Sequence, residues 1–226
     1  MAHQADIART AALIADPTRA TILDALVDGR ALPPSELASA AGVSRPTASE
    51  HLAKMLDAGL LAVERGGRNR YYRLAGPEVG EALEALAVIS PAREIRGLRD
   101  ANRADALSAA RTCYGHLAGK LGVAITDRLV ELGAIARRNG GYEITDAAPL
   151  IELGVQPSKL QPRDGELAKP CNDWSERRPH IAGPLGVAIA GSLLERGWLE
   201  RLPQPRAVRL TDDGRRGLRA SIGLLN

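Results

Sequence analysis

The chain has 226 residues, 45% of them hydrophobic and 25% charged, a balance that excludes a disordered chain and fits one large or two ordinary folded domains. Its net charge of +3 says little about nucleic acid by itself, and two cysteines, Cys113 and Cys171, are too few for a secreted disulfide framework. The longest uncharged apolar stretch, Ile181 to Leu194, is broken by Gly183, Pro184, Gly186 and Gly191 and falls short of the ~20 residues that span a bilayer. The N-terminal MAHQADIARTAALIADPTR has acids and an Arg scattered through it and forms no signal peptide. A cytoplasmic protein with no membrane partner is expected. Only six residues are aromatic, Tyr71, Tyr72, Tyr114, Tyr142, Trp174 and Trp198, so the core is built from Ala, Leu, Val and Ile.

Ile7, Ala11 and Ile14 stand at helical spacing, and after a break at Asp16-Pro17 so do Ile22, Leu23, Leu26 and Val27, ending at Gly29. Ser35 opens SELASAA, with Leu37 and Ala41 four apart, and Gly42 follows. Ser44 is an N-cap for SRPTASEHLAKMLDAG, with Pro46 in the first turn and Gly59 at the end. Two short helices joined by Ala-Gly-Val have the spacing of a helix-turn-helix. At 100° per residue, Ala48, Leu52, Met55 and Leu56 share an inward arc, while Thr47, Glu50, His51 and Lys54 lie opposite. Such a polar face at a helix N-terminus suits a major groove. In LLAVERGGRNRYYRL, Leu61 and Val63 alternate outward, Gly66-Gly67 turns, and Tyr72 and Leu74 alternate on return. Arg65, Arg68, Arg70 and Arg73 lie within nine residues that include no acid, so this hairpin predicts a wing that meets phosphate or minor groove. The bland alternative is a packing unit with solvated arginines.

The segments ADPTRATILDAL and LPPSELASAAGVSRPTASEHLAKMLDAGLLAVERGGRNRYYRL resemble the arsenic-repressor-like (ArsR) bacterial winged helix-turn-helix regulators. The resemblance covers about residues 8–90 and rests on Asp16-Pro17-Thr18-Arg19, the Ser44–Leu52 helix and Arg70-Tyr71-Tyr72. It implies a homodimer on double-stranded DNA at an inverted repeat, usually a repressor released by an effector. The DNA-contacting residues expected are Ser44, Arg45, Pro46, Thr47, Ser49, His51, Lys54, Arg65, Arg68, Asn69 and Arg70. ALPPSELA lacks the cysteine pair that metal-sensing members carry in this region, so that site is absent. Glu50 places an acid on the DNA-facing side, where it either accepts from cytosine or repels phosphate.

Helix-like sequence runs from Glu78 to Ile89 and breaks at Ser90-Pro91; Arg93–Arg103 reads as a linker or a polar helix. Beyond it lies an internal repeat. Residues 116–125 (HLAGKLGVAI) and 180–189 (HIAGPLGVAI) agree at eight of ten positions at an offset of 64, and Leu129, Glu131, Gly133 and Ile135 continue in register with Leu193, Glu195, Gly197 and Leu199. IARRNGGYEITD and LERLPQPRAVRLTD each follow as strand, turn and strand, so duplication of a structural unit is the economical account. The expected architecture is mainly α with small β-hairpins (α+β): a winged helix-turn-helix over 1–90, a linker over 91–103, and a duplicated winged-helix-like domain over 104–226, its repeats at about 104–160 and 168–226.

The repeats gather the chain's rarer side chains. Cys113, Tyr114 and His116 open the first; Cys171, Asp173, Trp174, Glu176, Arg177, Arg178 and His180 open the second. Cys113 and His116 are three apart, the spacing of one helical face. Three readings compete. In one, the cysteines are small buried hydrophobes and the charges are ion pairs locking the halves. In another, Trp174 and Tyr114 wall an organic effector pocket at the joint, with Arg177, Arg178 and the histidines holding its polar groups. In the third, Cys113, His116, Cys171 and His180 hold a metal or act as a redox pair. Of the ligands, an organic effector is favoured over a thiolate- and imidazole-bound metal ion: close-paired spacing is missing from the second repeat, and Cys113 aligns with Arg177. No phosphate loop, dinucleotide fingerprint, HExxH or GxSxG occurs, so no enzyme is expected. The expected function is therefore a DNA-binding regulator with an effector domain; the alternative makes the C-terminal half a protein-interaction or dimerisation module that senses nothing.

Overall fold

Asp6 and Asp16 start the first two helices by one device: each carboxylate accepts the backbone N–H of the third residue on, Arg9 at 3.0 Å and Arg19 at 2.9 Å. The computed structural model describes residues 5–92, 94–95, 97–163 and 165–224. The chain divides into two units, Met1–Leu83 and Glu84–Asn226.

The first unit holds α1 (Ile7–Ile14), α2 (Pro17–Leu26), α3 (Pro34–Ala41), α4 (Arg45–Asp57) and the hairpin of β1 (Leu61–Gly66) and β2 (Asn69–Leu74). Gly42, at φ 66°, ends α3 in the left-handed conformation that glycine adopts without strain, which turns the chain into α4. Ile22, Leu23, Leu26, Leu37, Leu52 and Met55 are all fully buried and make the core. Leu32 exchanges two backbone hydrogen bonds with Tyr72, at 2.9 and 2.8 Å, an isolated antiparallel bridge at the edge of β2 that the sequence did not reveal.

Helix α5 (Pro77–Ile89) crosses the division between the units, and α6 (Leu98–Ala109) begins inside the stretch read as a linker. Arg93 and Arg96 of that stretch lie outside the described residues, as do Leu225 and Asn226 of the second repeat.

In the second unit the element order recurs. First come β3 (Arg111–Cys113), β4 (His116–Ala118), α7 (Gly119–Glu131), β5 (Ile135–Arg138), β6 (Gly141–Ile144) and α8 (Ala148–Glu152). Then follow β7 (Lys169–Asn172), β8 (Pro179–Ala182), α9 (Gly183–Glu195), β9 (Leu199–Arg201), β10 (Val208–Leu210) and α10 (Asp212–Ile222). Each set keeps the helix, glycine, hairpin order of a winged element, and a second hairpin stands before the helix. The sets interlock: α9 packs on β4, and α7 on β8. Tyr142 donates to the Ala168 carbonyl at 3.0 Å, and Val208 to that of Ala110 at 3.1 Å. Leu121, Ile125, Leu129 and Leu150 of the first set therefore share one core with Leu185, Ile189, Leu193 and Leu218 of the second. Apolar area removed from water is the main stabilising term here, with few aromatic rings to supply it.

Candidate functional site

Ser44 Oγ accepts from Thr47 N at 3.3 Å and sits 2.8 Å from Thr47 Oγ1, fixing the first turn of α4. Ala48, Leu52 and Met55 face inward; Ser44, Arg45, Pro46, Ser49, Glu50 and Lys54 are exposed, and Thr47 is half-buried. His51 departs from this face: its Nδ1 stands 3.6 Å from the Asp16 carboxylate that caps α2, and it is half-buried. At the hairpin tip Gly67, at φ 60°, makes the turn, and Arg65, Arg68, Asn69 and Arg70 are exposed around it. Arg73 is drawn away from the tip, donating to Glu64 at 2.5 Å and to the Leu74 carbonyl at 3.0 Å.

The second unit brings the four candidate ligands together. Contrary to the helical spacing, Cys113 and His116 face each other across a hairpin, and Cys171 and His180 do the same across the other. Tyr114 (φ 44°) and Gly115 (φ 86°) form the two-residue turn of the first. The second has eight residues between its partners instead of two, so an ungapped alignment set Cys113 against Arg177. In the fold its counterpart is Cys171, and the Cys–His pair is present in both sets. The two sulfurs are 3.9 Å apart, the two Nε2 atoms 3.0 Å, and the four donor atoms all lie within 4.8 Å of one another. Cys113, His116 and His180 are buried, and Cys171 is half-buried.

Asp173, fully buried, organises the surroundings. Its Oδ2 accepts from Gly119 N at 2.7 Å and lies 3.2 Å from His180 Nδ1. Its Oδ1 accepts from Ser175 N and Oγ and from Glu176 N, and stands 3.0 Å from Nη2 of the equally buried Arg111. Burial alone would raise the Asp173 pKa, but His180, Arg111 and Ser175 outweigh it and hold the carboxyl well below the usual range. The Cys113 thiol, donating to Cys171, lowers the latter's pKa far below that of a free thiol against the effect of burial, and both imidazoles add to this. The same hydrogen bond, with burial, pushes Cys113 up. Burial pushes His116 down, whereas Asp173 and Cys171 raise His180 against it.

At the joint, where an organic pocket is expected, the space found among the described residues is small. The void bounded by Leu117, Gly122, Ile181 and Gly186 measures about 10 Å³, room for one water-sized molecule. Trp174 stacks on Arg111 at 4.2 Å, and Arg178 donates to Asp127 at 2.7 Å. Arg177 turns the loop at φ 54°. A separate surface groove is lined by Gly154, Val155, Leu160, Val187, Ser192 and Glu195.

A family profile described as a helix-turn-helix domain matches residues 14–64. An uncharacterized HTH-type transcriptional regulator of Bacillus subtilis, YdfF, is 41% identical over 212 residues, 93% of this chain and 94% of that protein. This chain belongs to the ArsR-like winged helix-turn-helix transcriptional regulators. The HTH-type transcriptional regulator CmtR of Mycobacterium tuberculosis is 36% identical over 87 residues, 38% of this chain and 73% of its own. The probable mercury resistance operon repressor of Streptomyces lividans is 32% identical over 79 residues, 35% of this chain and 62% of its own. The match to the Bacillus protein extends through the second unit; the other two are confined to about a third of the regulator. Sequence reasoning missed Arg111 in this regulator, an arginine without a local motif; the signal available was its place two residues before Cys113, on the same strand face.

Proposed function

We propose that the protein is a homodimeric repressor that reads an inverted-repeat operator with α4 and the β1–β2 tip, and that its second unit is the regulatory half. The observation that carries this reading is the exposed set of Arg45, Ser49 and Lys54 on α4 together with Arg65, Arg68 and Arg70 on the hairpin. A capped helix with a polar N-terminal face supplies base contacts, and the arginine tip supplies the phosphate charge that sets register. Family membership supports the dimer and the operator symmetry. The second unit contributes a buried thiol–imidazole cluster that DNA reading does not use, which favours a regulatory role over a docking module.

Selection of bound duplexes from a random pool by the full chain tests this. Enriched sequences should contain an inverted repeat whose half-sites are separated by about 10–10.5 base pairs or a multiple. Enrichment of a single unrepeated half-site would exclude the symmetric dimer, and no enrichment would exclude sequence-specific reading.

A further inference from the structure

Each hairpin of the interlocked pair presents one thiol and one imidazole from directly opposed positions, and the two presentations meet where β4 and β8 touch. Four donor atoms within 4.8 Å of one another leave little space for anything between them except a single small ion. The distances identify which. Sulfurs each ~2.3 Å from a tetrahedral ion stand about 3.8 Å apart, and nitrogens at ~2.0–2.1 Å stand about 3.3 Å apart. The structure has 3.9 Å and 3.0 Å, each within a few tenths of an ångström of those values, while the sulfur–nitrogen separations reach up to 4.8 Å and close toward about 3.6 Å, by roughly an ångström, as the ion enters. The mixed thiolate–imidazole donor set in tetrahedral array suits zinc rather than the oxygen-seeking cations. Asp173 supplies the outer contact that such sites use: with its Oδ2 3.2 Å from His180 Nδ1, the proton belongs on Nδ1 and the Nε2 lone pair faces the cluster.

We propose that Cys113, His116, Cys171 and His180 bind one divalent cation of the zinc class, filling all four of its positions and clamping the β3–β4 hairpin to the β7–β8 hairpin. Protein ligands complete the shell, which makes the site a closed one with no coordination position for a substrate. The cysteines bind as thiolates and the histidines as neutral imidazoles, so loading releases the remaining thiol protons to the buffer. The site lies wholly within the second unit and stands independently of the operator reading.

The test uses the full chain, reduced, stripped with a chelator and titrated with Co²⁺ without DNA. One equivalent should develop a thiolate-to-cobalt charge-transfer band together with the intense visible bands of tetrahedral cobalt, and one equivalent of Zn²⁺ should discharge both. Zn²⁺ should also raise the unfolding temperature of the wild-type chain. Cys113→Ser and His180→Gln should each lose more affinity than the about 10- to 100-fold typical of removing an outer-shell partner. The wild-type spectrum decides even if a variant fails to fold: cobalt bound without the charge-transfer band overturns the proposal. So does binding that survives in a folded Cys113→Ser/Cys171→Ser double variant, or recovery of the two thiols as a disulfide from protein isolated with zinc present.

Discussion

Asp173 shows how much one buried carboxylate can be asked to do: it accepts four hydrogen bonds and stands against both a guanidinium and an imidazole. Removing one partner of a buried pair leaves the other charge uncompensated, so Asp173→Ala should destabilise the second unit by about 3–5 kcal/mol in urea denaturation. A loss under about 1 kcal/mol would mean that Arg111 finds solvent or another acceptor. In the DNA-reading unit, the half-buried Thr47 beside the N-cap is the base-reading candidate. Thr47→Ala should relax preference at one base position per half-site, losing about 1–3 kcal/mol of discrimination while affinity for random DNA holds. An equal fall on random DNA would make Thr47 a backbone contact. Arg73 is the internal control. Because Glu64 and the Leu74 carbonyl hold it, Arg73→Ala should change DNA affinity far less than Arg68→Ala in the same binding assay.

The two long helices of the second unit sit against hairpin backbone through glycines at equivalent places. A Cβ at Gly122 would run into the Leu117 carbonyl, and one at Gly186 into that of Ile181. Gly122→Ala and Gly186→Ala should each cost about 1–3 kcal/mol as helix and hairpin separate. Gly191, inside α9 with nothing within 4 Å of an added Cβ, is the contrast, and Gly191→Ala should stabilise by about 0.5–1 kcal/mol. Trp174 and Trp198, the only tryptophans, both lie in the second unit, so fluorescence in urea reads it alone; equal effects at the three sites would contradict this packing. The elements legible in the sequence were those with strong local codes: the Ser44 cap, the Gly42 turn, the alternation of the wing, and the two 13-residue helices 64 positions apart. The Cys–His hairpins were hidden for a physical reason. A two-residue turn with positive φ at Tyr114 and Gly115 gives the same three-residue spacing as a helix face, and the longer second loop broke the register that would have aligned Cys171 with Cys113. The contacts of His51 with Asp16 and of Arg73 with Glu64 were not legible, because these partners are distant or diagonal in the chain.

At the scale of the molecule, the work is divided. The first unit exposes cationic and polar groups on α4 and the wing, and the second unit buries Cys113, His116 and His180 beside a core shared by two interlocked sets. Among the described residues no helix is long and apolar enough to cross a membrane. A first unit that reads DNA through α4 and an arginine-tipped wing leaves its signature in the salt dependence of binding. Each arginine that neutralises a phosphate releases condensed counterions, so affinity falls with salt in proportion to the contacts made. Binding of the full chain to duplex DNA should be measured across a salt series beside the Arg68→Ala/Arg70→Ala double variant. The slope of log affinity against log salt should become shallower by about one to two per protomer engaged, with weakening on every sequence tested. An unchanged slope would show that the hairpin tip does not touch the DNA backbone.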